Sequence, residues 1–144
     1  MDGKCLTCSL VYQATVTSAN DDCNTYAGIT ERTFKTRYTN HKTTFKYDSK
    51  RSIIELSKYI WSLKDKHINF KASWKTLRRA PAYNNNTNKC NLCLWEKYYI
   101  LYRPDLSSLN KRNKLLNTCR HSSKFLLMNG ITYQCNLFLS NLYY

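Results

Sequence analysis

The chain has no apolar run approaching the length of about 20 residues that a helix needs to cross a bilayer. Its opening residues, Met1-Asp2-Gly3-Lys4, lack the long apolar core of a secretory leader. A soluble protein of the cell interior, and of the nucleus, is therefore the expectation. With no export signal, its seven cysteines, an odd number, are expected as reduced thiols or metal ligands and not as a disulfide framework. Acid is also scarce. Nine Asp and Glu against 23 Lys and Arg leave a formal charge of +14, the electrostatic footprint of a protein that meets phosphates. Nucleic acid leads as partner, with an anionic membrane surface well behind. The 144 residues suffice for one domain with a real core and are too few for two comfortable ones. That domain is expected over residues 1–128, with an Asn- and Tyr-rich tail over 129–144.

Period-2 and helical patterns alternate along the chain. Leu10, Tyr12, Ala14 and Val16 share one face of a strand, with Val11, Gln13 and Thr15 on the other. Ser18 to Asp22 is turn chemistry, and a second strand ends at Gly28, so the pair reads as an antiparallel hairpin that brings Tyr12 near Tyr26. Thr30 is placed to cap a helix from about Glu31 to Tyr47, anchored by Phe34, Tyr38 and Phe45. Ser52 and Glu55 have capping-box spacing before a second helix, in which Ile53, Leu56, Ile60 and Leu63 recur. Phe70, Ala72, Trp74 and Thr76 alternate with Lys71, Ser73 and Lys75 in a third strand that stops before Arg78 and Arg79. A third helix spans about Asn91 to Tyr102. Leu106 to Leu116 reads as loop plus short helix, and Phe125 to Met128 as a last packing segment.

Chemistry concentrates on the first and third helices. Arg37 and His41 are four apart and project from one helix face, back toward the turn where the Tyr26 strand ends. A phenol, a guanidinium and an imidazole converging there suit an anionic phosphate: Arg offers forked donors, and the other two can orient or deprotonate a water. Glu96 lies on the apolar stripe of the third helix with Leu92, Tyr99 and Ile100. A buried carboxylate needs a metal, an arginine or a proton.

Together these residues resemble the GIY-YIG nuclease domain of certain homing endonucleases, the bacterial excision-repair nuclease and Penelope-like retroelements. Leu10-Val11-Tyr12 stands where the GIY triplet falls and Tyr26-Ala27-Gly28 where YIG falls. Arg37 matches the family's helix arginine, His41 the histidine one turn later, Glu96 the metal-binding glutamate and Asn110 the closing asparagine. The wording around Glu55 to Lys64 and Cys90 to Leu94 is similar to open reading frames of animal retroelements. Leu10 departs from the family's glycine, and the stretch between the two tyrosines is longer than in compact members.

The resemblance implies a small α/β (α+β) fold, a three-stranded antiparallel sheet flanked by helices, and metal-dependent hydrolysis of DNA phosphodiesters. Glu96 would hold magnesium or manganese, hard ions that prefer oxygen ligands. Arg37 would stabilise charge on the phosphoryl oxygens. Tyr12 would be the general base, its pKa lowered by nearby cations, with Tyr26 and His41 orienting the water or sharing its proton, and Asn110 orienting the site. Lys35, Lys42, Lys71, Lys75, Arg78, Arg79, Lys111 and Arg112 would meet nucleic acid. Cys90 and Cys93, with Cys119 and His121, have the donor types of a structural zinc site; Cys5 and Cys8 are a rival pair. The alternatives are a catalytically inactive basic DNA-binding module of the same fold and a zinc-stapled protein-interaction domain.

Overall fold

A computed structural model describes residues 5–86 and 90–111. Cys119, His121, Arg112, the expected packing segment Phe125 to Met128 and the 129–144 tail lie outside the described residues.

The alternating sequence at the start forms β1 (Leu10–Ser18), which turns back through Ala19 to Asp22 into β2 (Cys23–Thr30). Two helices follow, α1 (Phe34–Lys46) and α2 (Glu55–Asp65), then β3 (Phe70–Arg79) and α3 (Asn91–Tyr102). The three strands make one antiparallel sheet in the order β2-β1-β3. This is the small α/β fold of one antiparallel sheet with three helices that the strand and helix patterns describe.

Because β1 is central, both its faces are covered and Leu10, Val11, Tyr12, Ala14 and Val16 are all fully buried. Full burial of one such aliphatic side chain contributes about 1.5–3 kcal/mol. On one face, Leu10, Tyr12, Ala14 and Val16 pack with Tyr26, Phe34 of α1 and Leu56, Ile60 and Leu63 of α2. On the other face, Val11 and Ile29 pack with Leu92, Cys93 and Trp95 of α3. Tyr12 pairs with Gly28 in the ladder and Ala14 with Tyr26, so the two tyrosines are diagonal neighbours on the face toward α1.

Four boundaries differ from the sequence expectation. Thr30 ends β2, and the cap of α1 is Thr33, whose side chain accepts from Thr36 N–H. Either threonine satisfies the capping chemistry; Thr33 starts the helix where Phe34 turns into the core. At α2, Ser57 Oγ accepts from the Ile54 N–H, while Glu55 pairs with Lys58 at 2.9 Å and Lys111 at 3.5 Å. Ile53 lies before that helix and is 62% exposed, so it is no core anchor. β3 continues through Arg78 and Arg79, which pair with Val11 and Leu10 beyond a bulge that skips Leu77.

The outer margin of β2 is closed by the segment after α3. Leu109 N–H donates to Thr25 O at 2.8 Å, and Thr25 N–H donates to Ser108 Oγ at 2.9 Å. Asn110 grips the next outward-facing residue: its Oδ1 accepts from Ala27 N–H at 2.8 Å and its Nδ2 donates to Ala27 O at 2.9 Å. No helix among the described residues is long and apolar enough to cross a membrane.

Candidate active site

Three elements converge on the Tyr12 hydroxyl. β1 supplies the ring, which lies over Gly28 of β2 so closely that a Cβ there would stand 2.6 Å from Tyr12 Oη and 2.9 Å from Tyr26 Cε1. Only a residue without a side chain allows both tyrosines to settle on that rung. From α1, Arg37 Nε donates to Tyr12 Oη at 2.8 Å, and His41, one turn on, holds its Nε2 2.7 Å from the same oxygen. The Tyr26 ring stands edge-on to His41 at 6.4 Å. Phe34 and Trp74 complete an aromatic cage around the phenol, at 5.4 and 5.8 Å. His41 is held between Trp74 at 5.0 Å and Phe45 at 5.9 Å.

Burial decides the protonation states. His41 is nearly inaccessible, and desolvation, reinforced by the Arg37 charge, pushes its imidazole down to about 3. It is therefore neutral at neutral pH. The Tyr12 hydroxyl and His41 Nε2 share one hydrogen bond, whose direction follows the imidazole tautomer. Tyr12 itself is driven well above the ordinary phenol range, first by desolvation and then by the neighbouring Tyr26, with Arg37 opposing. The expectation of a phenol acidified by nearby cations is thus reversed in the protein alone: one guanidinium does not offset complete burial. Burial also opposes the Arg37 charge, but Tyr12, Tyr26 and Glu96 outweigh it and strengthen its hold on its proton.

Glu96 is buried on α3, flanked along the helix by the buried Leu92 and Ile100. Although α3 covers the face opposite α1, the Glu96 charge acts on both Tyr12 and Arg37. That influence is the weakest of those acting on the phenol and the guanidinium, and Glu96 does not line the cavity beside Arg37. Asn110 reaches that neighbourhood by another route, with both ends of its amide bound to the backbone of Ala27, the residue between Tyr26 and Gly28. It orients the β2 margin of the site.

Beside Arg37 is a cavity of about 240 Å³ lined by Ile29, Thr30, Glu31, Arg32, Thr36, Arg37 and Asn40. Sequence reasoning missed Arg32, Thr36 and Asn40. Thr36 and Asn40 are four apart and flank Arg37 on its helix face, a spacing that could have found them.

One carboxylate does not make a complete metal centre, and no group of three or more His, Cys, Asp or Glu among the described residues could hold an ion. A magnesium ion that keeps its waters and takes a substrate phosphate needs no more than one or two protein carboxylates; Glu96 is a buried carboxylate that does not line the cavity beside Arg37. Cys90 and Cys93 are buried thiols at the start of α3, where Cys90 Sγ accepts from Cys93 N–H and caps the helix. Cys5 and Cys8 are exposed.

The expected nucleic-acid contacts divide by environment. Lys35, Lys42, Lys71, Lys75, Arg78 and Arg79 are exposed. Arg78 stacks its guanidinium 3.6 Å from the Trp95 ring centre, and Lys111 is paired with Glu55.

No protein-family model, no curated protein and no solved structure matches this chain.

Proposed function

We propose that the chain is a metal-dependent DNA endonuclease of the GIY-YIG type. One observation carries the reading: the Tyr12 hydroxyl is bound by both Arg37 and His41. A core tyrosine with no chemical duty needs one hydrogen-bond partner, not a guanidinium and an imidazole brought from a separate element.

In this reading a DNA phosphate enters the cavity beside Arg37. The Arg37 Nε is committed to Tyr12, and its other N–H groups meet the phosphoryl oxygens. As water attacks phosphorus, the new P–O bond forms and the bond to the leaving oxygen breaks. The water's proton passes to Tyr12 Oη while the hydroxyl's own proton moves to His41 Nε2. The leaving oxygen takes its proton from solvent. His41 is a weak acceptor at rest because burial and the Arg37 charge both oppose its protonation. A phosphate paired with Arg37 offsets the second of these and makes the imidazole more basic as substrate arrives. Glu96 would hold magnesium or manganese, which when bound supplies positive charge at the phosphate and the leaving oxygen.

Plasmid nicking with magnesium tests this. The parent is expected to nick, and Arg37→Ala to lower the rate by about 10²–10³, the typical cost of one aimed donor. Glu96→Ala is expected to abolish nicking and keep binding in a gel shift. A parent that binds DNA in a salt-sensitive way but nicks with neither magnesium nor manganese would leave the inactive DNA-binding module as the reading.

A further inference from the structure

Four of the lysines without an ion pair among the described residues lie on α1 or just beyond it. Arg51, Lys58, Arg103 and Lys111 each pair with a carboxylate. Lys35, Lys42, Lys46 and Lys50 are exposed and form no ion pair among the described residues. α1 contains no acidic residue at all. Lys35, Tyr38, Lys42 and Lys46 follow at intervals of three or four, so they lie along one helix face.

Rings interleave with those charges. Tyr38 is 37% exposed, with Lys42 Nζ 5.6 Å from its centre. Tyr47, just past the helix, is 49% exposed and flanked by Lys46 at 5.4 Å and Lys50 at 5.9 Å. From Lys35 to Lys46 the row covers about 16 Å at 1.5 Å per residue. It begins on the helix turn that carries Arg37, on the other side of the helix. A favourable place at the helix C-terminus accounts for Lys46. It accounts for neither Lys35 nor Lys42, nor for two rings left open to solvent.

We propose that this row binds a single strand of DNA, with phosphates on the lysines and unpaired bases stacked on Tyr38 and Tyr47. In a duplex the base faces are covered by their neighbours, and exposed rings gain nothing from them. A single strand offers those faces to any aromatic platform, whatever its sequence. That the strand is DNA rests on the endonuclease reading; the binding itself does not depend on hydrolysis.

Fluorescence anisotropy of the full chain in EDTA, with a labelled oligo-dT, an abasic oligomer of the same length, a duplex and an oligo-U, tests the proposal. Oligo-dT is expected to bind more tightly than the abasic oligomer and the duplex. Tyr47→Ala should weaken oligo-dT by about 5- to 100-fold and leave the abasic oligomer unchanged, while Tyr47→Phe retains binding. Lys42→Ala with Lys46→Ala should weaken both and flatten the salt dependence. Tyr47 is the ring to change, because Tyr38 also packs on Phe34 and Trp74. Equal affinity of parent and Tyr47→Ala, equal affinity for base-bearing and abasic oligomers, or a preference for duplex would each overturn the stacking row. Tighter binding of oligo-U would overturn the assignment to DNA. A chain that binds oligo-dT through Tyr47 yet never nicks plasmid keeps the row and removes the endonuclease; nicking with no effect at Tyr47 does the opposite.

Discussion

Acid should unfold this protein through His41. The imidazole titrates near 6.5 in an unfolded chain and is depressed to about 3 in the fold by burial and Arg37. Between those values the unfolded chain binds the extra proton, so stability contributed by the neutral imidazole is fully present above pH 6.5 and declines as the pH falls toward 3. The linkage integral gives a loss of about 2 kcal/mol between pH 7.5 and pH 5 and about 3 kcal/mol by pH 4. Against a total stability of about 5–15 kcal/mol for a domain, that is a large share. Urea unfolding at a series of pH values, on the parent and on His41→Gln, isolates the effect because every other titrating group is common to both. The parent should lose stability relative to the variant as the pH falls, with the gap opening below pH 6.5. Parallel curves from pH 7 to pH 4, or an imidazole resonance titrating near 6.5 in the folded protein, would refute the reasoning.

Two further substitutions probe the rung on which the tyrosines meet. Gly28→Ala puts a methyl group 2.6–2.9 Å from two packed rings, and overpacking of that kind costs about 1–3 kcal/mol, read as a melting point lowered by several degrees. An unchanged melting point would mean that Tyr12 is free to shift. Asn110→Ala removes two hydrogen bonds to Ala27 and should cost about 1–3 kcal/mol, with faster hydrogen exchange at the Ala27 amide. Asn110→Asp keeps the acceptor and should recover only part of that loss; full recovery would show that the donor half is idle.

The strand alternation and the spacing of Arg37 and His41 were legible because each is a local periodicity, and the same holds for the buried Leu92-Glu96-Ile100 stripe. The place of Tyr12 beside Tyr26 was legible but its protonation was not, since its burial is created by Phe34, Trp74 and the bare backbone at Gly28, drawn from three other elements. The part played by Asn110 was legible only in outline. Its partner lies 83 residues earlier, and no local pattern records such a pairing. β3 was drawn too short because Arg78 and Arg79 read as a polar boundary, whereas a bulge lets both keep their places beside Val11 and Leu10.

Ser107 to Asn110 stand in for the neighbour that a fourth strand would have given β2. A protein trimmed ahead of Ser107 would bare the amides of Thr25 and Ala27 on the strand that carries Tyr26 and Gly28, and would invite foreign backbone against the rung where the two tyrosines meet. With that flank sealed, β3 is the open edge of the sheet among the described residues. There Lys71 and Lys75 set like charge against like in any self-association.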